Sequence, residues 1–349
     1  QSALSDRNLI INGAMQVAQR STSTASVTGS GYHACDRWNL QLSSLGTFTI
    51  SQSTDAPAGF SNSFKVDCTT ADASPAASDF MVVQQKIEAQ TLRQLGYGAS
   101  GAKAMTLSFY VKSNKTGTYE IMHFAADGTR AVNSTYTIDS ANTWEFKSVS
   151  IPGDPSGTMN NDNGEGLRSL FYLGVGSQRQ SGTTPTDWQA YAIANEAPSQ
   201  TVNIADNTAN EWLMTGVQLE VGEQTTPFEH RSFADELERC KRYFQQIGSG
   251  YGKASSTSAF DCSVTFNPPM RANPTVSNNG TVIQITNITS ADHNQSSASC
   301  ADTDSGVTDG TYGGGRVRFS NFSGLTSGTT YAIDHTSSQG GAATFDAEL

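Results

Sequence analysis

Apolar and polar residues alternate in many short segments between Asn8 and Gly222. In the segment "MTLSFYVKS", one side of a strand would carry Met105, Leu107, Phe109 and Val111, and the other Thr106, Ser108, Tyr110 and Lys112. Such alternation is typical of antiparallel strands that have one buried face. Gly, Asn and Ser separate the segments and supply turns. The pattern predicts an all-β protein whose first part is a β-sandwich.

One segment beyond the middle of the chain predicts a helix instead. Ser232 is a suitable N-cap residue, and Asp235 three residues later resembles a capping box. The next apolar residues follow at intervals of four, three, four and three, as in a coiled-coil seam: Phe233, Leu237, Cys240, Phe244 and Ile247. About two heptads are too short for a stable coiled coil alone. The seam would either pack on its own domain or form an oligomer interface on a symmetry axis.

Strand patterns resume after Gly248, where glycine would end the helix. We therefore predict a β-sandwich over residues 1–230 and a short linking α-helix over 231–248. Residues 249–349 would form a smaller C-terminal antiparallel β-sandwich domain, facing outward as a tip.

Composition and charge exclude two classes of partner. Only 15% of the 349 residues are charged, against about 25% in a typical soluble domain. The formal net charge is -11, and no Lys/Arg cluster offers the basic surface that nucleic acid requires. No apolar run reaches the roughly 20 residues of a membrane span, so we expect no membrane insertion.

The five cysteines show no CxxC pair and do not form an obvious disulfide or zinc framework. We interpret them as free, buried thiols of a protein made in a reducing cytoplasm.

Catalytic and metal-binding patterns are weak. Asp162 and Glu165 share one polar loop, but solvated carboxylates explain them better than glycoside cleavage does. No GxSxG and no phosphate-binding loop occurs, and we predict no enzymatic activity and no cofactor. The segment "DTDSGVTDG" places Asp302, Asp304 and Asp309 in a partly calcium-like arrangement that lacks the Gly and Glu positions of a calcium loop. A solvated acidic loop is favoured over a structural calcium site.

Sugar recognition requires exposed aromatic rings together with polar side chains. Trp188 borders a long polar loop and Tyr191 follows closely, whereas glycines flank Tyr251 and Tyr312. These four residues are the candidates for ligand binding, although a packed or incidental role is favoured for each.

Two motifs carry a resemblance to a known family. The opening "NLIINGAMQVAQRSTS" and "GYHACDRW" resembles the start of many bacteriophage tail-fibre and virion-surface proteins. The segment "GVQLEVGEQTTPFEHRSFADELERCKRYFQQ" is similar to the segment that closes the same module. The match falls on Pro227, Phe228, Glu229, Arg231, Cys240, Arg242, Tyr243 and Phe244.

The first part also resembles jelly-roll carbohydrate-binding modules, through "NLIxNG" and through the strand-like segments 103–113 and 144–151. Together the resemblances imply a jelly-roll-like β-sandwich in a structural virion protein. Such subunits are commonly homotrimers that contact other virion proteins, and jelly-roll sugar-binding modules often hold a structural calcium.

The leading hypothesis is a tail fibre or spike that binds a host cell-surface glycan. The first alternative is a capsid-decoration or head-fibre protein with a purely architectural role. The second alternative is a polysaccharide-degrading spike.

Overall fold

The computed structural model describes residues 6–247, 250–277, 284–287, 292–294, 299–304, 312–320, 322–334 and 343–349. The chain divides into two compact units, Gln1–Glu236 with Leu349 and Leu237–Glu348. The described residues of both units form mainly antiparallel strands, so the all-β prediction is confirmed.

The first unit contains two six-stranded sheets. Its strands are β1 (Ser23–Val27), β2 (Asn39–Ser43), β3 (Thr47–Ser53), β4 (Ser63–Thr70), β5 (Phe80–Glu88), β6 (Met105–Ser113), β7 (Gly117–Ala125), β8 (Arg130–Ile138), β9 (Glu145–Ile151), β10 (Glu165–Val175), β11 (Gln189–Ala190) and β12 (Glu211–Val221). The first sheet has the order β1-β3-β4-β12-β6-β9, and the second sheet has the order β11-β8-β7-β10-β5-β2.

A single core joins the inner faces of these sheets. Phe109 of the first sheet contacts Phe171 of the second sheet at 5.2 Å between ring centroids. Phe171 also lies 6.3 Å from the buried ring of Trp212. The alternation predicted for β6 is confirmed, because Met105, Leu107, Phe109 and Val111 are fully buried. Strand alternation therefore decides which residues reach the two outer faces.

The chain between β10 and β12 is long and mostly irregular. It contains the two-residue strand β11 and three of the four short 3-10 segments of this unit. The three in this connection are Ser177–Arg179, Ile193–Asn195 and Ile204–Asp206, and the fourth, Ala89–Leu95, follows β5. Because loops on a rigid sandwich carry adaptable side chains, this connection is a natural place for a binding site.

The second unit also consists of antiparallel sheets. Its strands are β13 (Phe244–Ile247), β14 (Gly250–Ala254), β15 (Phe260–Met270), β16 (Thr275–Ser277), β17 (Gln284–Asn287), β18 (Asp292–Asn294), β19 (Ser299–Asp304), β20 (Tyr312–Ser320), β21 (Thr330–Asp334) and β22 (Ala343–Asp346). They form a three-stranded sheet, β13-β22-β16, and a seven-stranded sheet, β18-β17-β21-β14-β15-β20-β19. The two sheets share one core, in which the ring centroids of Phe266 of β15 and Phe345 of β22 lie 4.9 Å apart.

The helix prediction was wrong in its second half. Helix α1 spans Phe233–Lys241, and the chain then turns through Tyr243, whose N–H donates to the Cys240 carbonyl at 2.9 Å. Phe244–Ile247 forms strand β13, which pairs with β22 near the chain end. A short helix gains little from propagation. The backbone partners in β22 therefore decide the conformation of these four residues.

The helix cap and the thiols follow the sequence more closely. Asp235 N–H donates to the Ser232 hydroxyl at 3.2 Å, as a capping box requires. Cys35, Cys68, Cys240 and Cys262 are buried and form no disulfide bond, whereas the side chain of Cys300 lies outside the described part of the chain. Within the described residues, no helix has the length and apolarity needed to cross a membrane.

Candidate binding site

A cleft of about 280 Å³ opens on the outer face of the second sheet. We call it the second-sheet cleft. Its floor contains Val82, Met122 and Leu170, which come from the neighbouring strands β5, β7 and β10. These residues alternate along their strands with residues of the main core, such as Ile121 and Phe171. The floor is therefore a second apolar layer, on the side of the sheet away from the core.

Part of the cleft wall comes from the long connection between β10 and β12. Tyr191, Ile193 and Glu196 line the cleft from this connection. The Tyr191 ring meets the Phe124 ring edge to face, with 5.4 Å between centroids. Ile193 is one of the few large apolar side chains of the described residues that remain exposed, at 37%. The connection thus presents apolar surface to solvent at this place.

Two guanidinium groups cover aromatic rings in the cleft. The Arg168 guanidinium carbon lies 4.5 Å from the centroid of Phe124, and that of Arg179 lies 3.9 Å from the centroid of Phe80. Both distances are within the range of favourable cation–π contacts. Arg168 also lies 3.2 Å from a Glu165 carboxylate oxygen. The arginines are therefore held in place, with their long side chains spread over apolar rings.

Glu196 organises the wall of the cleft. Its carboxylate accepts hydrogen bonds from Arg179 at 2.6 Å, from the Tyr172 hydroxyl at 2.8 Å, and from the Tyr191 hydroxyl. Burial and the Glu196 carboxylate raise the pKa of Tyr191 to about 12. The same two causes raise the pKa of Tyr172 well above its usual value. Both phenols therefore stay protonated at neutral pH and can go on donating to Glu196.

This arrangement suits non-covalent recognition of an amphipathic ring. Apolar floor residues and aromatic walls would contact the apolar face of a ligand. The amide of Gln41 and the guanidinium groups would meet its polar edge. Because Glu196 already holds three of the lining side chains, little side-chain entropy remains to be lost on binding.

The structure separates the four predicted ligand-binding residues. Tyr191 lines the cleft, whereas Trp188 is 8% exposed and packs edge to face on Tyr97. The Trp188 indole N–H donates to the Pro152 carbonyl at 2.6 Å. These contacts hold the indole in a mostly buried position, but Trp188 also lines a separate cleft with Thr184 and Asp187. Ligand binding at Trp188 therefore stays a prediction.

Tyr251 and Tyr312 belong to the second unit and are not part of this cleft. Tyr251 lies on β14 and is 71% exposed. Tyr312 begins β20, and its side chain lies outside the described residues. Both stay predictions.

The seam residues do not share one helix. Phe233 and Cys240 lie on α1, where Phe233 is 56% exposed and Cys240 is buried. Leu237 is partly buried on the same helix, whereas Phe244 is buried on β13 and Ile247 ends that strand. The oligomer interface stays a prediction, and Phe233 is its exposed member.

The structure does not test the predicted metal residues, because their side chains lie outside the described part of the chain. Asp302 and Asp304 lie in β19 and Asp309 lies outside the described residues. In the described part of the chain, no group of three His, Cys, Asp or Glu side chains is arranged to hold a metal ion.

Sequence reasoning missed most of the cleft. Phe124, Arg168 and Tyr172 occupy outward positions of β7 and β10, out of phase with the core residues of those strands. The sequence signal that could have predicted these cleft residues was an aromatic residue, Phe124 or Tyr172, at an outward strand position. Arg179 and Glu196 gave no signal, because only the folded connection brings them together.

Comparison with known proteins yields similarity of fold only. No family model matches the chain, and no curated protein matches it. A tailspike protein 4 domain of bacteriophage CBA120 aligns with a TM-score of 0.32 at 16% identity, and the match covers 62% of this chain and 21% of that chain. A proposed sugar-binding protein of Bacteroides thetaiotaomicron aligns with a TM-score of 0.34 at 14% identity, over 61% of this chain and 99% of that chain.

A third structure is TmCBM61 in complex with β-1,4-galactotriose, with a TM-score of 0.32 and 7% identity. That match covers 62% of this chain and 99% of that chain. At these values the likeness carries no argument about the ligand or activity of this chain.

Proposed function

We propose that this chain is a bacteriophage virion protein, a tail fibre or spike subunit, that binds a host-surface glycan through the second-sheet cleft. One observation carries the binding half of the proposal. Glu196 holds Tyr191, Tyr172 and Arg179 around an open apolar floor. The virion half rests on the sequence resemblance at the two ends of the first unit.

Glycan binding fits the chemistry of the cleft better than the other functions considered. A pyranose ring has an apolar face of C–H groups and an edge of hydroxyl groups. Tyr191 offers aromatic surface for the face, and Gln41 with Arg168 offers polar groups for the edge. The carboxylate of Glu196 is already engaged by three donors, which leaves it poorly suited to general acid–base work.

The substitution Tyr191→Ala tests the proposal. It removes the partly exposed ring of the wall and leaves Glu196 with Arg179 and Tyr172. We expect a glycan array of bacterial surface polysaccharides to identify ligands for the wild-type chain. We expect Tyr191→Ala to weaken their binding at least about tenfold by calorimetry, equivalent to about 1.4 kcal/mol.

Tyr32→Ala is the matched control. Like Tyr191, Tyr32 is a partly buried tyrosine, but it lines neither this cleft nor any binding surface considered for the chain. If Tyr191→Ala and Tyr32→Ala lost glycan affinity equally, the second-sheet cleft would not be the binding site. The same would follow if only Tyr251→Ala lost affinity. An array with no ligand would favour the architectural role, and a fall in polysaccharide viscosity would reveal a degrading spike.

A further inference from the structure

A second cleft lies on the opposite outer face of the sandwich, on the first sheet. It has a volume of about 460 Å³, and we call it the first-sheet cleft. Five rings line it: Phe60, Tyr110, Phe146, Phe228 and His230. Neighbouring rings lie 4.9 to 5.6 Å apart between centroids, in tilted or edge-to-face contacts. Such contacts stabilise the rings as one continuous aromatic surface.

Part of this surface is open to solvent. Phe146 lies on the edge strand β9 and is 50% exposed, the greatest exposure of any large apolar residue of the first unit's sheets. A half-exposed phenylalanine beside four other rings makes an apolar patch, and contiguous patches of this kind commonly mark interaction sites.

A glycine with a special conformation makes room for the rings. Gly216 has a φ of +61° and lies where the register between β12 and β6 shifts, between Thr215 and Gln218. A Cβ atom at this position would lie 2.6 Å from Cζ of Phe60 and 3.1 Å from Cδ2 of Tyr110. The cleft therefore depends on a residue without a side chain at this bulge.

The segment after β12 completes the cleft by alternation. Phe228 and His230 line the cleft, whereas Glu229 and Arg231 bind the beginning of the chain. Glu229 accepts a hydrogen bond from the Asn8 N–H at 2.9 Å. The Glu229 N–H donates to the Gln218 side chain of β12 at 2.8 Å, which fixes the segment on the sheet. The rings of Phe228 and His230 are thus held by a buried hydrogen-bond network beneath them.

The cleft contains one imidazole, that of His230, and otherwise only neutral side chains. Its other polar groups are the hydroxyls of Ser108, Tyr110, Thr225 and Thr226, and no Asp, Glu, Lys or Arg of the described residues lines it. The second-sheet cleft differs, because Arg168, Arg179 and Glu196 line that one. A lining of this kind favours a neutral ligand with an apolar face and a hydroxyl edge.

The size of the first-sheet cleft favours a small ring over a protein as its ligand. A volume of about 460 Å³ lies within the range of small-ligand sites, about 300–1,000 Å³. A stable protein interface needs about 800 Å² of surface from each partner, which is a much larger and flatter area.

We propose that the first-sheet cleft is a second carbohydrate-binding site, which takes a neutral sugar ring by stacking it on the Phe146 and Tyr110 rings. The site is independent of the second-sheet cleft and goes beyond the function proposed above. One chain could then hold two glycan strands on opposite faces of the sandwich. Two linked weak sites raise the effective affinity for a dense surface glycan without any new contact.

The test uses the full chain and neutral homopolysaccharides of glucose, galactose, mannose and xylose in affinity electrophoresis. We expect at least one polymer to retard the wild-type chain, and Phe146→Ala to weaken that retardation at least about tenfold. Phe146→Trp should keep or strengthen it, because the larger ring preserves the stacking face. Phe146 is half exposed, so its replacement leaves the core intact.

Two further variants make the result decisive. Gly216→Ala should abolish the same retardation, because its methyl group displaces Phe60 from the cleft. Tyr32→Ala should leave this retardation unchanged, since Tyr32 lines neither cleft. Retardation of wild type that persists in Phe146→Ala would overturn the inference, and so would the absence of retardation by all four polymers. Loss in Tyr191→Ala alone would support the second-sheet cleft and reject this one.

Discussion

His123 shows how a single buried residue makes the stability of this fold depend on pH. The imidazole is completely buried on the inner side of β7, where Nδ1 lies 3.0 Å from the Ser169 hydroxyl. Its Nε2 atom is also buried and has no hydrogen-bond partner among the described residues. Burial lowers the pKa of His123 to about 3, because no acid nearby stabilises the imidazolium ion.

The sign of the effect follows from proton linkage. The folded state keeps His123 neutral, whereas the unfolded chain takes up a proton near pH 6.5. The stabilisation is therefore fully present above pH 6.5 and is lost as the pH falls toward 3. Each pH unit in this window costs about 1.4 kcal/mol of unfolding free energy.

His123→Gln should flatten this dependence. Between pH 7.5 and 5.0 we expect the wild-type chain to lose about 2 kcal/mol more than the variant does. Urea unfolding followed by tryptophan fluorescence measures it, because all four tryptophans lie in the first unit. Burial raises the pKa values of Asp36 and Glu120, but both groups are common to the two proteins and cancel in the difference. If the unfolding free energies of wild type and His123→Gln changed equally with pH, the pH dependence could not be assigned to His123.

At the scale of elements, the segment from Thr226 to Arg231 connects the two ends of the first unit. Thr226 and Glu229 anchor it to Glu220 and Gln218 of β12. Arg231 donates to the carbonyl oxygens of Asn8 and Ile10, and it pairs with Glu229 at 3.1 Å and Glu236 at 2.9 Å. Burial alone would raise the pKa of Glu229, but the Asn8 N–H and the Arg231 guanidinium bring it below its usual value.

Arg231→Met tests this connection. The side chains of Arg231, Glu229 and Glu236 are each at most 10% exposed. The variant therefore leaves the carboxylates of Glu229 and Glu236 buried without the guanidinium group of Arg231. We expect the unfolding free energy of the first unit to fall by about 3–5 kcal/mol in urea. Lys112→Met removes a pair whose acid, Asp55, is 44% exposed, and it should cost less than about 1 kcal/mol. Similar losses in the two variants would show that burial of the Arg231 network contributes little.

The same segments show what could be predicted from sequence. The outward face of β6 was correctly predicted to hold Ser108 and Tyr110, because alternation is a local property of one strand. The helix ended early because β22, far away in sequence, supplies backbone partners to Phe244–Ile247. The cluster around Glu196 could not be predicted either, because its members come from β10 and from two turns of an irregular connection. The local periodicity of one strand predicts which of its residues point inward or outward. Which strands and loops then contact one another depends on the complete fold.

At the scale of the whole molecule, the proposed function depends on multiplicity. Shallow clefts on a rigid sandwich bind single sugar rings weakly, and linked copies convert weak sites into useful avidity. The net charge of -11 per chain would oppose approach to an anionic cell surface at low ionic strength, which increases the need for several simultaneous contacts. An oligomer would supply them, and Phe233 offers an exposed apolar contact for one.

Light scattering of the full chain tests the proposed trimer. Three chains of 37.0 kDa give about 111 kDa, and we expect that mass for the wild-type protein. Phe233→Asp should lower it to that of a folded monomer, because a carboxylate cannot be buried at an apolar interface without a partner. Tyr251→Asp, at the most exposed large apolar residue of the described chain, is the control and should leave the mass unchanged. A wild-type monomer would reject the trimer, whereas a trimer that survives Phe233→Asp would keep the oligomer but move its interface away from helix α1.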